Sequence, residues 1–419
     1  MTGKADRLKV LIAGGGPGGC SCALSLARLG AQLGRELDVV LFEHKHFGIH
    51  YNQCMGVLSP PIETIMRDCL GISLPGELIQ RQIEGYWLHS ENSSIRLTDN
   101  SSPKPGHSVA TRRVLLDRFL FTQVREAGVE VYGNRVSDIE FSDGGVRVYT
   151  EGGSFKGDIL VGAFGLDRQL ADILQRRTGY RAPDFLETVI TKIHPGQRHV
   201  DNFGNDIHAF LLSDPAIEFA ALTPKGNHIT ALVAGRHVTS DTLRAFLASD
   251  VCSSLVDFPY NIEDIFKGSF PICPARKFYG DNYITVGDSA GLVRPFKGKG
   301  INTALLSGWY AARSILERGV SRQALSQVEL DFAEQIGDLW YGRAARLMTG
   351  VMTRFSLLDP VIEVARTSPA LSQALFDSVS AQDTYRNIIG RITGSPATVA
   401  ALGLETVRWF LNSRSRKKT

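Results

Sequence analysis

The apolar run Val10-Leu11-Ile12-Ala13 leads directly into Gly14-Gly15-Gly16-Pro17-Gly18-Gly19, and Ala23, Leu24, Leu26, Ala27 and Leu29 follow at helical spacing. This order predicts a buried parallel strand, a tight turn and an amphipathic helix. Gly14 permits the turn, Gly16 lets the backbone approach a pyrophosphate, and Gly19 lets helix and strand pack closely, with Pro17 and Gly18 completing the loop. Free amides and the helix dipole then meet the phosphates. A second apolar strand over 38–42 delivers Glu43, 24 residues after Gly19, near the spacing of about 20 at which a carboxylate accepts hydrogen bonds from a ribose. A merely structural glycine turn leaves Glu43 without a role.

Far along the chain, Asn282 to Val286 reads as another apolar strand that ends in Gly287-Asp288-Ser289-Ala290-Gly291. A carboxylate at such a strand end can accept hydrogen bonds from ribityl hydroxyls, although an N-cap or turn residue is the plainer alternative. Pro295, Gly298 and Gly300 then lead into Ile301-Asn302-Thr303-Ala304-Leu305-Leu306, which reads as a helix start. Its free amides suit the flavin N1 and C2 carbonyl edge, where negative charge accumulates on reduction. The two segments together point to the two ends of one FAD.

These residues resemble the superfamily of FAD enzymes that contains aromatic hydroxylases, flavin halogenases and geranylgeranyl reductases, and the resemblance is closest to the last. Gly287 to Pro295, followed by Gly298, Gly300, Ile301 and a small-residue helix (Ala304, Ser307, Gly308, Ala311, Ala312), is similar to the late motif of those reductases. Cys54-Met55-Gly56-Val57-Leu58-Ser59-Pro60 looks like the cysteine-glycine segment they hold over the isoalloxazine, and Arg113 to Asp117 resembles their arginine-and-aspartate helix. The match covers roughly the first 330 residues. It implies Cys54 as the catalytic residue, a proton donor or a latch on its loop; a buried cysteine acting as a small hydrophobe is the alternative. It also implies cofactor contacts from Gly14, Gly16, Pro17, Gly18, Gly19, Glu43, Gly56, Arg113, Val136, Asp288, Gly298, Gly300, Ile301 and Asn302.

Three departures fall where substrate or reductant would be set. Phe164, in Gly162-Ala163-Phe164-Gly165, replaces the acidic residue of the superfamily's Asp-Gly fingerprint, which puts direct reduction by NADPH in doubt. Phe219-Ala220-Ala221-Leu222-Thr223-Pro224 keeps an aromatic and the proline of the substrate lining but loses its tryptophan, so Phe219, Ala221 and Pro224 imply a differently shaped pocket, with Phe296 and Lys297 also facing substrate. Lys297 and Lys299 flank Gly298, where two ammonium groups either stabilise reduced flavin or an anionic substrate, or point into solvent.

The 419 residues, 43% hydrophobic and 21% charged, exceed one average domain and suit a globular enzyme. The expected fold is α/β, with a Rossmann-like FAD-binding domain (1–75, 105–180 and 271–330), an inserted mixed β-sheet substrate domain (76–104 and 181–270) and a C-terminal helical region (331–419). Strands over 185–235 alternate apolar and polar positions, as in a sheet with one covered face. A formal charge of +3 and the lack of a basic stripe with interleaved aromatics exclude nucleic acid as an expected partner. Six cysteines are scattered without a paired C-x-x-C, and His44, His46 and His50 lack metal-ligand spacing, so no metal site and a reducing cytoplasm are expected. No leader is expected before the first strand.

Arg414, Arg416, Lys417 and Lys418 follow the apolar-rich stretch 399–411, which reads either as a packed terminal helix with a solvated tail or as a helix on an anionic membrane surface. The expected function is hydrogenation of carbon-carbon double bonds in an isoprenoid or similar apolar substrate, with NADPH, ferredoxin or a quinol as electron donor. An FAD monooxygenase is the main alternative. A prenyl carrier without redox turnover is a third, which the flavin segment and Cys54 oppose.

Overall fold

The computed structural model describes residues 7–47, 49, 54–99, 107–262, 264–293 and 300–416, with side chains described to residue 411. The strand Leu8–Ala13 lies at the middle of a six-stranded sheet, between Ile159–Gly162 and Leu37–Phe42. Both pairings are parallel, with Val10 opposite Ile159 on one side and Val39 on the other. Strands in such a position are covered on both faces and read as unbroken apolar runs. Val10, Leu11, Ile12, Val40 and Leu41 are accordingly inaccessible to solvent.

The late strand reads over 282–286 and is observed at Tyr283–Thr285, parallel to Ile159–Gly162. That pairing brings residue 287 to the same edge of the sheet as residue 14, because parallel neighbours end together. Two helices pack across this junction, Pro17–Gln32 and Gly300–Arg318. They meet where neither carries a side chain: a Cβ on Gly308 would stand 2.4 Å from the Gly18 carbonyl oxygen and 2.7 Å from the Cys22 nitrogen.

A seven-stranded sheet forms the second layer, in the order Ile265–Pro271, Phe185–Ile193, Ile229–Gly235, Phe219–Pro224, Asp206–Phe210, Gly85–His89, Ser94–Leu97. All its pairings are antiparallel except the parallel pair of Asp206–Phe210 with Gly85–His89. Both faces are covered, not one. Every residue of Ile229–Gly235 is buried, because Phe246, Leu247 and Cys252 pack on one face with Val233 and Leu222, while the other face meets the C-terminal helices and the cofactor layer.

The C-terminal region is helical: Ala333–Arg354, Leu358–Thr367, Pro369–Ser380, Tyr385–Thr393 and Pro396–Arg416. Ile362, Leu371 and Phe376 pack on Tyr86, Leu88 and Leu97 of the seven-stranded sheet. Polar ends are satisfied locally. The Ser368 and Thr384 side chains cap their helices, and buried Asp338 accepts the Tyr385 and Arg386 amides at 2.8 and 2.9 Å.

Gly308→Ala should therefore destabilise the protein by about 1–3 kcal/mol, because the atoms a methyl would strike are backbone and cannot swing aside. Gly390→Ala is the control, since a Cβ there meets nothing within 4 Å and alanine favours a helix by about 1 kcal/mol. Chemical denaturation should show the loss at residue 308 alone, accompanied by weaker flavin retention in the visible spectrum.

Candidate functional site

Residues from at least seven separate stretches of chain line a crevice of about 520 Å³ along the edge where the parallel strands end. Its floor is the first glycine turn. Gly14 holds φ +114°, and a Cβ there would lie 2.2 Å from the Ala163 carbonyl oxygen, whereas one on Gly16 would meet nothing within 4 Å. The chain thus presses against the sheet at one glycine and leaves open space at the next, a cradle for a group that approaches the backbone. Gly19 does not line the crevice; a Cβ there would come 1.9 Å from Gly14 O, so its smallness serves the contact of strand and helix.

Glu43 ends its strand almost fully buried and lines the crevice. The Gly15 and Lys45 amides donate to its two carboxylate oxygens at 2.9 and 2.7 Å. The carboxylate is thereby fixed in place with lone pairs left toward the cavity. Nearby, Arg135 pairs with Asp167 at 2.8 Å, and both line the crevice beside Asn134 and Val136. Phe164 lines it too, edge-on to Tyr180. Three positions beyond Phe164 stands an acidic residue, Asp167, which caps the helix Arg168–Thr178.

At the other end stand Asp288, Arg113, Gly300, Ile301 and Cys54. Arg113 donates to Asp117 at 2.7 Å. Burial opposes the charge of its guanidinium, but Asp117, Cys54 and Asp288 together more than offset that, and its pKa is pushed up. Burial raises the Asp288 carboxyl, with Arg113 pulling the other way. A carboxyl that is costly to ionise, at the end of a strand and open to the crevice, is one a ligand's hydroxyls would relieve. The open glycine cradle, the anchored Glu43 and the Asp288–Arg113 pair fit a long dinucleotide with a flavin at the Cys54 end.

Other expected contacts are placed differently. Asn302 donates to the Ser59 carbonyl at 2.9 Å and ties the Cys54 loop to the helix start. Gly56, at φ +66°, lies behind the crevice, where a Cβ would strike Thr111 O at 2.1 Å. Phe219 and Ala221 share a sheet face with Leu232 and Ala234, and Phe219 packs on Phe270, a crevice residue. Pro224, by strand alternation, is on the face of Ala220 and Leu222, turned away from it. Gly298, Phe296, Lys297 and Lys299, like His50, lie outside the described residues.

One residue the sequence does not announce is Lys225. It is 3% exposed, and its Nζ donates to the Thr111 carbonyl at 3.0 Å. A Cβ on Gly56 would come 2.9 Å from that nitrogen, so only glycine leaves room for it. Pro224-Lys225-Gly226-Asn227 reads as an exposed hairpin turn with a solvated lysine, and that pattern conceals it.

Burial lowers the Lys225 pKa from 10.5 to about 8, aided by Lys192 and Arg112 and opposed by Cys54. Below pH 8 both folded and unfolded chains carry the proton, and the folded one bears the full cost of a buried ammonium. Between about 8 and 10.5 the unfolded chain holds more protons, so stability rises with pH, by up to about 3 kcal/mol. Lys225→Met should flatten that part of a urea-denaturation profile relative to the wild type.

No family model matches the chain. It is 25% identical over 351 residues to the digeranylgeranylglycerophospholipid reductase of Methanococcus vannielii, covering 80% of this chain and 84% of that protein. It is 26% identical over 419 residues to the 6-methylpretetramide 4-monooxygenase of Streptomyces rimosus, covering 93% of each. Among solved structures, a geranylgeranyl bacteriochlorophyll reductase-like protein of Thermoplasma acidophilum superposes with a TM-score of 0.70 at 18% identity, over 95% of this chain and all of that one. With this crevice and this fold, the protein is a flavin-dependent, FAD-binding oxidoreductase related to the geranylgeranyl reductases and, more widely, to flavin monooxygenases.

Proposed function

We propose that the protein reduces carbon-carbon double bonds in an isoprenoid or similar apolar substrate. One observation carries this reading: an apolar patch of the seven-stranded sheet abuts the crevice beside Cys54. Ile190, Leu232 and Ala234 form the patch with Phe219, Phe270 and Met55, and Phe270 also lines the crevice. When bound, reduced FAD supplies the hydride for such a reaction. The patch would hold a hydrocarbon chain and exclude water. Cys54, on the crevice wall with its sulfur accepting the Gly56 amide at 3.3 Å, would donate the proton. Glycines 14, 16 and 18, Glu43, Val136, Arg113, Asp288, Gly300 and Ile301 would hold the cofactor. The digeranylgeranylglycerophospholipid reductases among the relatives support the reading.

The monooxygenase reading has support from the Streptomyces rimosus relative, which matches along nearly the whole chain. Anaerobic single-turnover experiments with chemically reduced enzyme and a polyprenyl alkene separate the two. We expect alkene-dependent flavin reoxidation without dioxygen and a saturated product, slowed about 10²-fold or more in Cys54→Ala. Substrate-dependent dioxygen uptake with an oxygenated product would select the monooxygenase. NADPH, ferredoxin and a quinol are the proposed donors to test in turn.

Among the described residues no helix is long and apolar enough to cross a membrane. The helix Pro396–Arg416 nevertheless exposes Leu404, Val407 and Leu411 by more than half, and Ala333–Arg354 exposes Trp340 and Leu347 by 73% each. We read these helices as a peripheral membrane surface. Co-sedimentation with phosphatidylglycerol vesicles should occur and weaken at least about tenfold in the Leu404→Asp, Val407→Asp double variant.

A further inference from the structure

The sheet face that carries the apolar patch changes character along its length. On the strand Phe185–Ile193 the residues facing the crevice side run from Ile190 to Lys192, with His194 next in step beyond the strand end. On Ile229–Gly235 they run from Ala234 and Leu232 to Thr230, with His228 next in step. Hydrocarbon-like at one end, the face is cationic at the other.

At the cationic end lies a second cavity, of about 580 Å³. Arg112, Lys192, His194 and His228 line it from three separate elements of the chain, with Asp264 as the one carboxylate among the described lining residues. Among the described lining residues, a guanidinium and an ammonium thus accompany a single carboxylate and two imidazoles. Lys192 also lies over the Phe266 ring, its nitrogen 5.9 Å from the centroid, which holds the side chain along the sheet. The His194 and His228 rings are 5.2 Å apart.

A further observation points to a ligand. His228 is 2% exposed, its Nδ1 is 3.0 Å from Asn227 Oδ1, and its Nε2 is buried with no partner. The hydroxyls of Thr111, Thr223 and Thr230 are likewise buried and unpartnered. These groups are contiguous: Thr223 and Thr230 are cross-strand partners, Thr230 is opposite Lys192, and Thr111 accepts from Lys225, whose amide donates to His228. A buried polar group left alone costs about 1–3 kcal/mol. Four of them beside one cationic cavity form a polar track between it and the apolar patch.

We propose that this second cavity binds a phosphate group. A guanidinium, an ammonium and imidazoles arriving from different directions match the several oxygens of a tetrahedral anion better than the single plane of a carboxylate. That the phosphate belongs to the head of the substrate rests on the reductase reading, because the same face then holds chain and head together. Free phosphate is the other source of this chemistry.

The test uses the oxidised holoenzyme, so no turnover is required, with geranylgeranyl monophosphate, geranylgeraniol and inorganic phosphate titrated calorimetrically. We expect the monophosphate to bind at least about tenfold more tightly than the alcohol, and that ratio to fall toward one in Lys192→Gln at wild-type flavin content. Inorganic phosphate should compete with the monophosphate. Should Lys192→Gln fail to fold, His194→Gln, on an exposed side chain, replaces it with the same expected direction. Inorganic phosphate that binds in wild type but not in the variant, without displacement by the monophosphate, supports the site and names the free anion as its ligand. An unchanged ratio in a folded variant, or no phosphate preference for either probe in wild type, overturns the proposal. The two readings fail separately. Alkene reduction without phosphate discrimination would sink the site alone, and phosphate-dependent binding without alkene reduction would sink the reductase alone.

Discussion

The molecule depends on a contact between backbones remote in sequence. A Cβ on Gly18 would stand 3.1 Å from the Gly287 nitrogen, and one on Gly308 would stand 2.4 Å from Gly18 O. Without side chains at this seam, the first helix and the helix after the late motif close together over the end of the parallel sheet. The crevice is the space left beside that closure, and Gly18 and Gly287, which meet there, also line it. Moving either helix outward by the width of a methyl would open the crevice and loosen the sheet edge together.

The sheet above the crevice makes a second use of regular geometry. Because side chains alternate strictly along a strand, one face of the seven-stranded sheet is core against Phe246 and Leu247 while the other can differ in character along its length. The same strands that bury Val233 and Leu222 therefore present Leu232 and Ala221 toward the cofactor layer. The C-terminal helices cover the far part of this face, over Tyr86 and Leu97, and leave the near part to the crevice.

Legibility followed locality. The first glycine turn, Glu43 and the late strand could be read because each is a local pattern with a local physical reason: an apolar run, a glycine where φ must be positive, a carboxylate at a strand end. The parallel strands were similarly plain, since burial on both faces leaves no polar residue in them. The covering of the seven-stranded sheet on both faces was not legible, because Thr188, Thr223 and Thr230 imitate the polar positions of an exposed side while being buried. Lys225 was hidden for a related reason. Its neighbours Pro224, Gly226 and Asn227 form a true hairpin turn, yet Gly56, 169 positions earlier, makes the room that takes its side chain inward. Asn302 shows the converse: it lies at the helix start that the sequence predicts, but its amide is spent on Ser59.

The turn at Lys225 has a mechanical consequence. Its two ends are joined by the hydrogen bond from the Lys225 amide to the His228 carbonyl, 2.8 Å long. One end sends an ammonium toward Thr111 and the cysteine loop, and the other sends an imidazole into the second chamber. Anything that pulls on the imidazole also tugs the ammonium, through four residues of stiff polypeptide. Two chambers lined by different stretches of chain thus share a lever.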